Sequence, residues 1–320
     1  MTLIELLDAA QAQAPEGRLE RPNELPLALC ALQRLGAQDA RLQAFAAQHP
    51  ARTWRADRPQ SWPAGDAWPA RRGERGAYMA YRDLFLTWRA EEGAGPLLEQ
   101  VLPQLMPGCA AAGFAGMIRT AAAVQSHHAG ELASGLAYWA CRWLPLDHGR
   151  PGGAEGTEPD PELLLRRLRA RRSTATLPAR RLQDAAQRNP ALDQAVAALA
   201  VDGQTLERLS RLAARACAHS GDPTAMRLLI SAHALRVLSP YLDDRVAALR
   251  AYWRAFATTA VAAGWKAKAP AAPAPWETLT EAALGCHDGW TVVLVDSCRQ
   301  EEQAWGGDDW RRAATQVLVR

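Results

Sequence analysis

Apolar residues recur at three- and four-residue spacing along almost the whole chain, and no run of strand length alternates between apolar and polar positions. That period puts one apolar stripe on each segment and predicts amphipathic helices. Helices are expected at 2–14, 25–35, 38–48, 75–92, 95–106, 110–125, 128–143 and 160–172. Eight more are expected at 178–187, 190–199, 204–219, 222–237, 241–263, 276–285, 288–304 and 308–318. The fold class is therefore all-α, a large multi-helix globular body.

Three segments interrupt the helical pattern. Pro50 to Gly73 carries four prolines together with Trp54, Trp62 and Trp68, too much proline for a helix and too much apolar surface to float free. It is expected to pack as a long ordered loop at the rim of a pocket. Gly149 to Pro161 is rich in glycine, proline and acidic residues and reads as a flexible linker. Ala267 to Pro275 alternates alanine and proline and should be an extended, semi-rigid connector. The linker separates an N-terminal helical half, 1–148, from a C-terminal half, 162–320, packed together as two halves or merged in one integrated domain.

Composition narrows the partners. The 320 residues are 48% hydrophobic and 22% charged, which suits a folded globular chain with an ample core. Lys266 and Lys268 are the only lysines, and the net charge is only +3. The run from Arg166 to Arg172, with Arg180 and Arg181 after it, is read as a solvated helix face, since no nucleic-acid motif accompanies it. No nucleic-acid partner is expected. No apolar run reaches membrane-spanning length and the first residues lack a signal-peptide pattern, so no membrane partner and a cytoplasmic location are expected. The six scattered cysteines form no Cys-x-x-Cys pair and are read as reduced core residues. Nucleotide-binding glycine motifs and the Gly-x-Ser-x-Gly hydrolase motif are missing, and no cofactor is expected.

Four segments carry a family resemblance. Asn23-Glu24-Leu25-Pro26-Leu27-Ala28-Leu29 resembles the Asn-His-x-Pro-Met-Ala-Leu opening of the questin oxidase-like family, with Glu24 in place of histidine. Phe114-Ala115-Gly116-Met117-Ile118-Arg119 resembles the family's Phe-His-Gly-x-Ile-Arg helix, with Ala115 and, seven residues later, Ala122 where histidines stand. In the segment Ala225 to Arg236, Arg227 falls at a third histidine position. Between Ala283 and Cys298, Trp290 replaces a histidine and Val293 a lysine. Leu136 to Ala140 adds a fifth matching stretch.

The resemblance implies an all-helical scaffold built for oxygenation of polycyclic aromatic polyketides at a histidine-held metal. Here arginine repels a cation while alanine, tryptophan and valine offer it no donor, so only Glu24 keeps ligand chemistry and no metal site is expected. The candidate catalytic residues are Glu24, as a base, and Arg227, as the stabiliser of a phenolate or enolate. Ala115, Ala122, Trp290 and Val293 are the candidate substrate-binding residues, lining a slot for a small aromatic molecule. Glu24 and Arg227 are expected to pair, directly or through water. The alternative is a non-catalytic relative whose site has become packed core and whose partner is another protein or a second copy of the chain.

The remaining histidines carry bland expectations. His127 and His128 read as a solvent-exposed turn. His233 and His287 read as hydrogen-bonded core or surface residues, with a displaced metal site between them as the sharper alternative.

Overall fold

A computed structural model describes residues 1–49, 68–146, 156–170, 173–187, 189–264 and 269–318, apart from the Arg18 side chain. Among them lie sixteen α-helices and no strand. The first seven are α1 (Leu3–Ala10), α2 (Leu25–Arg34), α3 (Asp39–Gln48), α4 (Tyr78–Glu92), α5 (Ala94–Leu105), α6 (Ala115–Ser126) and α7 (Ala129–Arg142). Next come α8 (Pro161–Arg166), α9 (Pro178–Ala186), α10 (Pro190–Ala198), α11 (Thr205–Ser220) and α12 (Pro223–Leu238). The last four are α13 (Arg245–Ala263), α14 (Trp276–Gly285), α15 (Gly289–Trp305) and α16 (Asp309–Leu318).

Local chemistry sets many of these boundaries. Thr2 and Glu5 close a capping box on α1. Asp160, Asn189, Asp222, Asp244 and Asp288 each accept a backbone N–H in the first turn of the helix they precede. Proline opens α8, α9, α10 and α12, where its missing N–H costs nothing. Two expectations overshoot. The helix expected from 110 begins at Ala115, because Ala112, Gly113 and Phe114 all take left-handed φ values of 50°, 64° and 66°. The helix expected to reach 172 ends at Arg166, with residues 171 and 172 outside the described set.

At the centre α6 and α7 pack almost backbone to backbone. A Cβ on Gly116 would stand 2.5 Å from Trp139 Cα, and one on Gly135 would stand 2.7 Å from Thr120 N, so both positions need glycine. Every residue of α7 from Glu131 to Arg142 is buried. An ion pair staples this core: Arg119 grips Glu131 through two bonds of 2.7 and 2.8 Å, and Gln11, just past the end of α1, donates to the same carboxylate. Helices distant in sequence pack side by side, α2 on α15 and α6 on α12. Arg34 of α2 reaches Asp296 of α15 at 2.6 Å.

The irregular segments are partly described. Residues 50–67, with Trp54 and Trp62, lie outside the described set, whereas Trp68 is buried edge-on to Tyr81 and Phe85. Of the expected linker, residues 156–161 are described. There Glu158 exchanges backbone hydrogen bonds with the 198–200 stretch at 3.0 and 2.9 Å, which holds this end against the α10 terminus. The alanine–proline connector lies along α16, with Ala271 and Ala274 N–H groups donating to Gln316 and Thr315 at 3.0 Å. No disulfide links the described cysteines, and Cys286 alone of the six is not fully buried. Among the described residues no helix is long and apolar enough to cross a membrane.

Candidate functional site

The N-terminal ends of α2, α6, α12 and α15 supply four of the candidate residues. Asp288 caps α15 by accepting the Thr291 N–H at 2.8 Å and its hydroxyl at 2.6 Å, which fixes Trp290 in the first turn. Asp222 and Pro223 start α12 and set Arg227 one turn in. Asn23 holds the entry to α2: its side chain accepts the Leu25 N–H at 3.2 Å and donates to Gln13 and the Ala14 carbonyl at 3.1 and 3.3 Å. The asparagine of the opening motif is thus a positioning residue for Glu24, its neighbour.

Arg227 and Trp290 are stacked. The guanidinium carbon lies 3.2 Å from the centre of the indole ring. Stacking uses the flat face and leaves the N–H edge free to donate. Among the described residues Arg227 makes no hydrogen bond and no ion pair. The side chain keeps partial exposure. Desolvation draws its pKa down to about 10, against the opposing influence of Tyr138, Glu24 and Asp288.

Glu24 lies against the start of α15, where a Cβ on Gly289 would stand 2.9 Å from its Cγ. Its carboxylate faces His49, with Oε1 3.7 Å from Nε2. His49 is held firmly for this contact. Its ring stacks on Phe45 at 4.2 Å, and its Nδ1 lies 2.9 Å from the Phe45 carbonyl. A carbonyl only accepts, so Nδ1 carries the proton and Nε2 is the nitrogen turned toward Glu24. The expected direct pairing of Glu24 with Arg227 does not form. Glu24 is packed between Gly289 and His49, while the guanidinium is spread over Trp290, and Glu24 still attracts it through space.

Ala115 is buried at the first position of α6, just after Gly113, where a Cβ would stand 3.8 Å from Arg227 Nη1. Ala122 lies two turns further along α6 and is only partly buried. Val293 is buried one turn beyond Trp290. Among the described residues no group of three or more His, Cys, Asp or Glu side chains converges as metal ligands.

A second polar network runs from the core outward. The Tyr138 hydroxyl donates to Glu16 at 3.1 Å, Arg142 contacts Glu16 at 3.4 Å and Glu20 at 2.8 Å, and Arg75 joins Glu20 from the surface. Burial raises the Glu16 carboxyl above its ordinary range despite Arg142. At Glu20 burial is outweighed by Arg142 and Arg75, which hold its carboxyl low. His49, Asp288 and this network lie outside the expected site residues. The capping pattern Asp288-x-x-Thr291 was the one local signal available for them.

The remaining histidines take structural places. His127 is exposed, but His128 is not part of an exposed turn: its Nδ1 accepts the Glu131 N–H at 3.0 Å, capping α7, and its Nε2 donates to Asp8 at 3.1 Å. His233 is buried against Glu301 at 2.9 Å, and His287 is exposed.

With this geometry in view, the comparison with known families is specific. Residues 22–297 of the 320 match the family model described as questin oxidase-like, and the chain belongs to that family. The family is named for an oxidase, so the scaffold is an oxidoreductase one. No curated protein matches the chain.

Proposed function

We propose that this chain is a questin oxidase-like protein that has lost its metal centre and binds a planar, polycyclic aromatic molecule of the polyketide kind at Trp290 and Arg227. One observation carries the reading: a guanidinium stacked on indole stands where the family resemblance implies a metal ligand. A second cation beside it would be repelled, and Ala115, Ala122, Trp290 and Val293 supply no donor atoms. The residues present therefore do not fit a metal.

In this reading the indole offers a flat apolar face and Arg227 the charge that selects an acid or phenol. Glu24, supported by His49, takes a proton from the bound phenol or from carbon next to a carbonyl, and Arg227 holds the resulting oxyanion. The chemistry is proton transfer, or binding alone. Titration of the protein with hydroxyquinones, followed by tryptophan fluorescence, tests the reading. Saturable quenching that disappears in the Trp290→Ala, Arg227→Ala double variant supports it, and a flat response across a broad panel of hydroxyquinones and aromatic acids rejects it.

A second reading, a non-catalytic protein that binds another chain, is favoured by the burial of Trp290, which is only 8% exposed. A flat ligand response combined with stable association in solution would select it.

A further inference from the structure

The apolar stripe of α11 is only partly covered. α11 runs for 16 residues, and α8, packed against it, for six. At a rise of about 1.5 Å per residue the shorter helix covers about 9 Å of a neighbour about 24 Å long. The two leave an open groove of about 260 Å³ between them. Side chains three and four positions apart share one face of a helix, and both walls follow that spacing. α8 turns Glu162, Leu165 and Arg166 into the groove, and α11 turns in Leu212, Arg215, Ala216 and, a turn beyond, His219.

Burial separates floor from rim. Leu212 is buried and Leu165 and Ala216 are half-buried, whereas the Arg166 side chain is 70% exposed and that of Arg215 39%. The floor is therefore aliphatic and the rim charged. Glu162 sets the rim: its Oε1 accepts from Arg166 at 2.6 Å and its Oε2 from Arg215 at 2.8 Å, one guanidinium on each oxygen. Burial would raise the Glu162 carboxyl, but Arg166 and Arg215 outweigh it and hold it low. The lining thus sets two arginines against one carboxylate. Arg215 also meets Asp309 at 3.7 Å, but that carboxylate is divided with Arg211 at 3.6 Å and does not line the groove. The arginine run that reads in the sequence as a solvated helix face begins at this rim, with Arg166.

We propose that the groove between α8 and α11 binds an aliphatic monocarboxylate, its chain lying on Leu165, Leu212 and Ala216 and its carboxylate bridging Arg166 and Arg215. The site shares no residue with the one at Trp290 and Arg227, and the proposal goes beyond the function inferred there. Two features select this class of ligand. Each guanidinium is a planar fork of donors of which Glu162 takes only a part, and because Glu162 already orients both, a second carboxylate meets them with little further loss of side-chain freedom. No Trp, Tyr or Phe lines the floor, so a flat ring finds no face to stack on, while a chain of methylene groups finds leucine and alanine. At about 30 Å³ for a water-sized group, the volume admits about eight or nine non-hydrogen atoms, the size of hexanoate.

Backbone amide NMR of the full chain, titrated separately with hexanoate, hexanol and hexylammonium, tests the proposal. Hexanoate should saturate with a Kd on the order of 1 mM and shift amides of residues 162–166 and 212–219, with hexanol bound about 10-fold more weakly and hexylammonium not at all. The Arg166→Gln, Arg215→Gln double variant should reduce hexanoate to the affinity of hexanol. Both arginines lie at the surface, and the amide spectrum itself reports whether the variant is folded. Ala216→Leu, which fills the floor and keeps the charges, is an independent check and should weaken hexanoate and hexanol together. Equal affinity of the wild type for hexanoate and hexanol, or undiminished hexanoate affinity in the folded double variant, would overturn the assignment of a carboxylate. No saturation at about ten times the expected Kd, shifts confined to residues outside the groove, or full affinity in Ala216→Leu would overturn the site itself.

Discussion

Glu301 accepts a hydrogen bond from His233 Nδ1 at 2.9 Å while its carboxylate is entirely buried. Arg236 adds a bond of 2.6 Å, Ser210 one of 2.8 Å and the Trp305 indole one of 2.9 Å. Four donors from α11, α12 and α15 thus converge on one side chain. Burial alone would raise the Glu301 pKa, but His233 and Arg236 outweigh it and hold it at about 2.

Because the folded value lies below the ordinary 4.5, Glu301 stabilises the fold above pH about 4.5, and this contribution fades as pH falls toward about 2. Its size is about 3 kcal/mol by linkage. Glu301→Gln should lower stability by about 3 kcal/mol, because it leaves the partly buried Arg236 guanidinium without its counter-charge. Urea unfolding at neutral pH and at pH about 3 measures both effects, and the gap between wild type and variant should narrow in acid.

Arg227 should behave in the opposite way. Its pKa is depressed from 12.5 to about 10, so at every pH below about 10 the charged guanidinium costs folding energy. Arg227→Met keeps a long side chain over Trp290 and removes the charge, and should stabilise the protein by about 1–3 kcal/mol. Thermal unfolding checks the gain, and a simultaneous loss of the hydroxyquinone response would mark Arg227 as a residue kept for function at the expense of stability.

The contact between α6 and α7 allows no added atom. Gly116→Ala should cost about 3 kcal/mol or more, since the new methyl would meet Trp139 N, Cα and Cβ and fixed backbone cannot yield as a flexible side chain would. Gly135→Ala, facing Thr120 N and Cα, should behave alike, whereas Gly95→Ala, with open space around it, should be neutral or stabilising. Denaturation midpoints of the three variants provide the comparison.

Protein purified without chelators should contain no stoichiometric iron, zinc or manganese. Elemental analysis checks this, and one metal per chain that is lost in Glu24→Ala would show that Glu24 and His49 ligate after all.

The helical period made the fold legible, because each apolar stripe is a local property. The start of α6 was not legible, since Ala112 and Phe114 are ordinary helix residues that surrounding packing holds in the left-handed region. The site was legible where motif segments carried it: Arg227 and Trp290 sit in separate segments and meet face to face. His49 lies outside those segments, and its approach to Glu24 depends on how α3 folds back on α2, which no local pattern encodes. The same holds for Tyr138 and Glu16, separated by 122 residues in sequence.

The pairing of α2 with α15, locked by Arg34 and Asp296, joins residues 262 positions apart. During synthesis the face of α2 that packs on α15 must wait for the intervening 262 positions to be made before that partner arrives. Closing so long a loop carries an entropic cost. The nascent chain is thus obliged to shelter that face, and truncations that stop short of α15 should yield aggregation-prone fragments rather than a smaller folded unit.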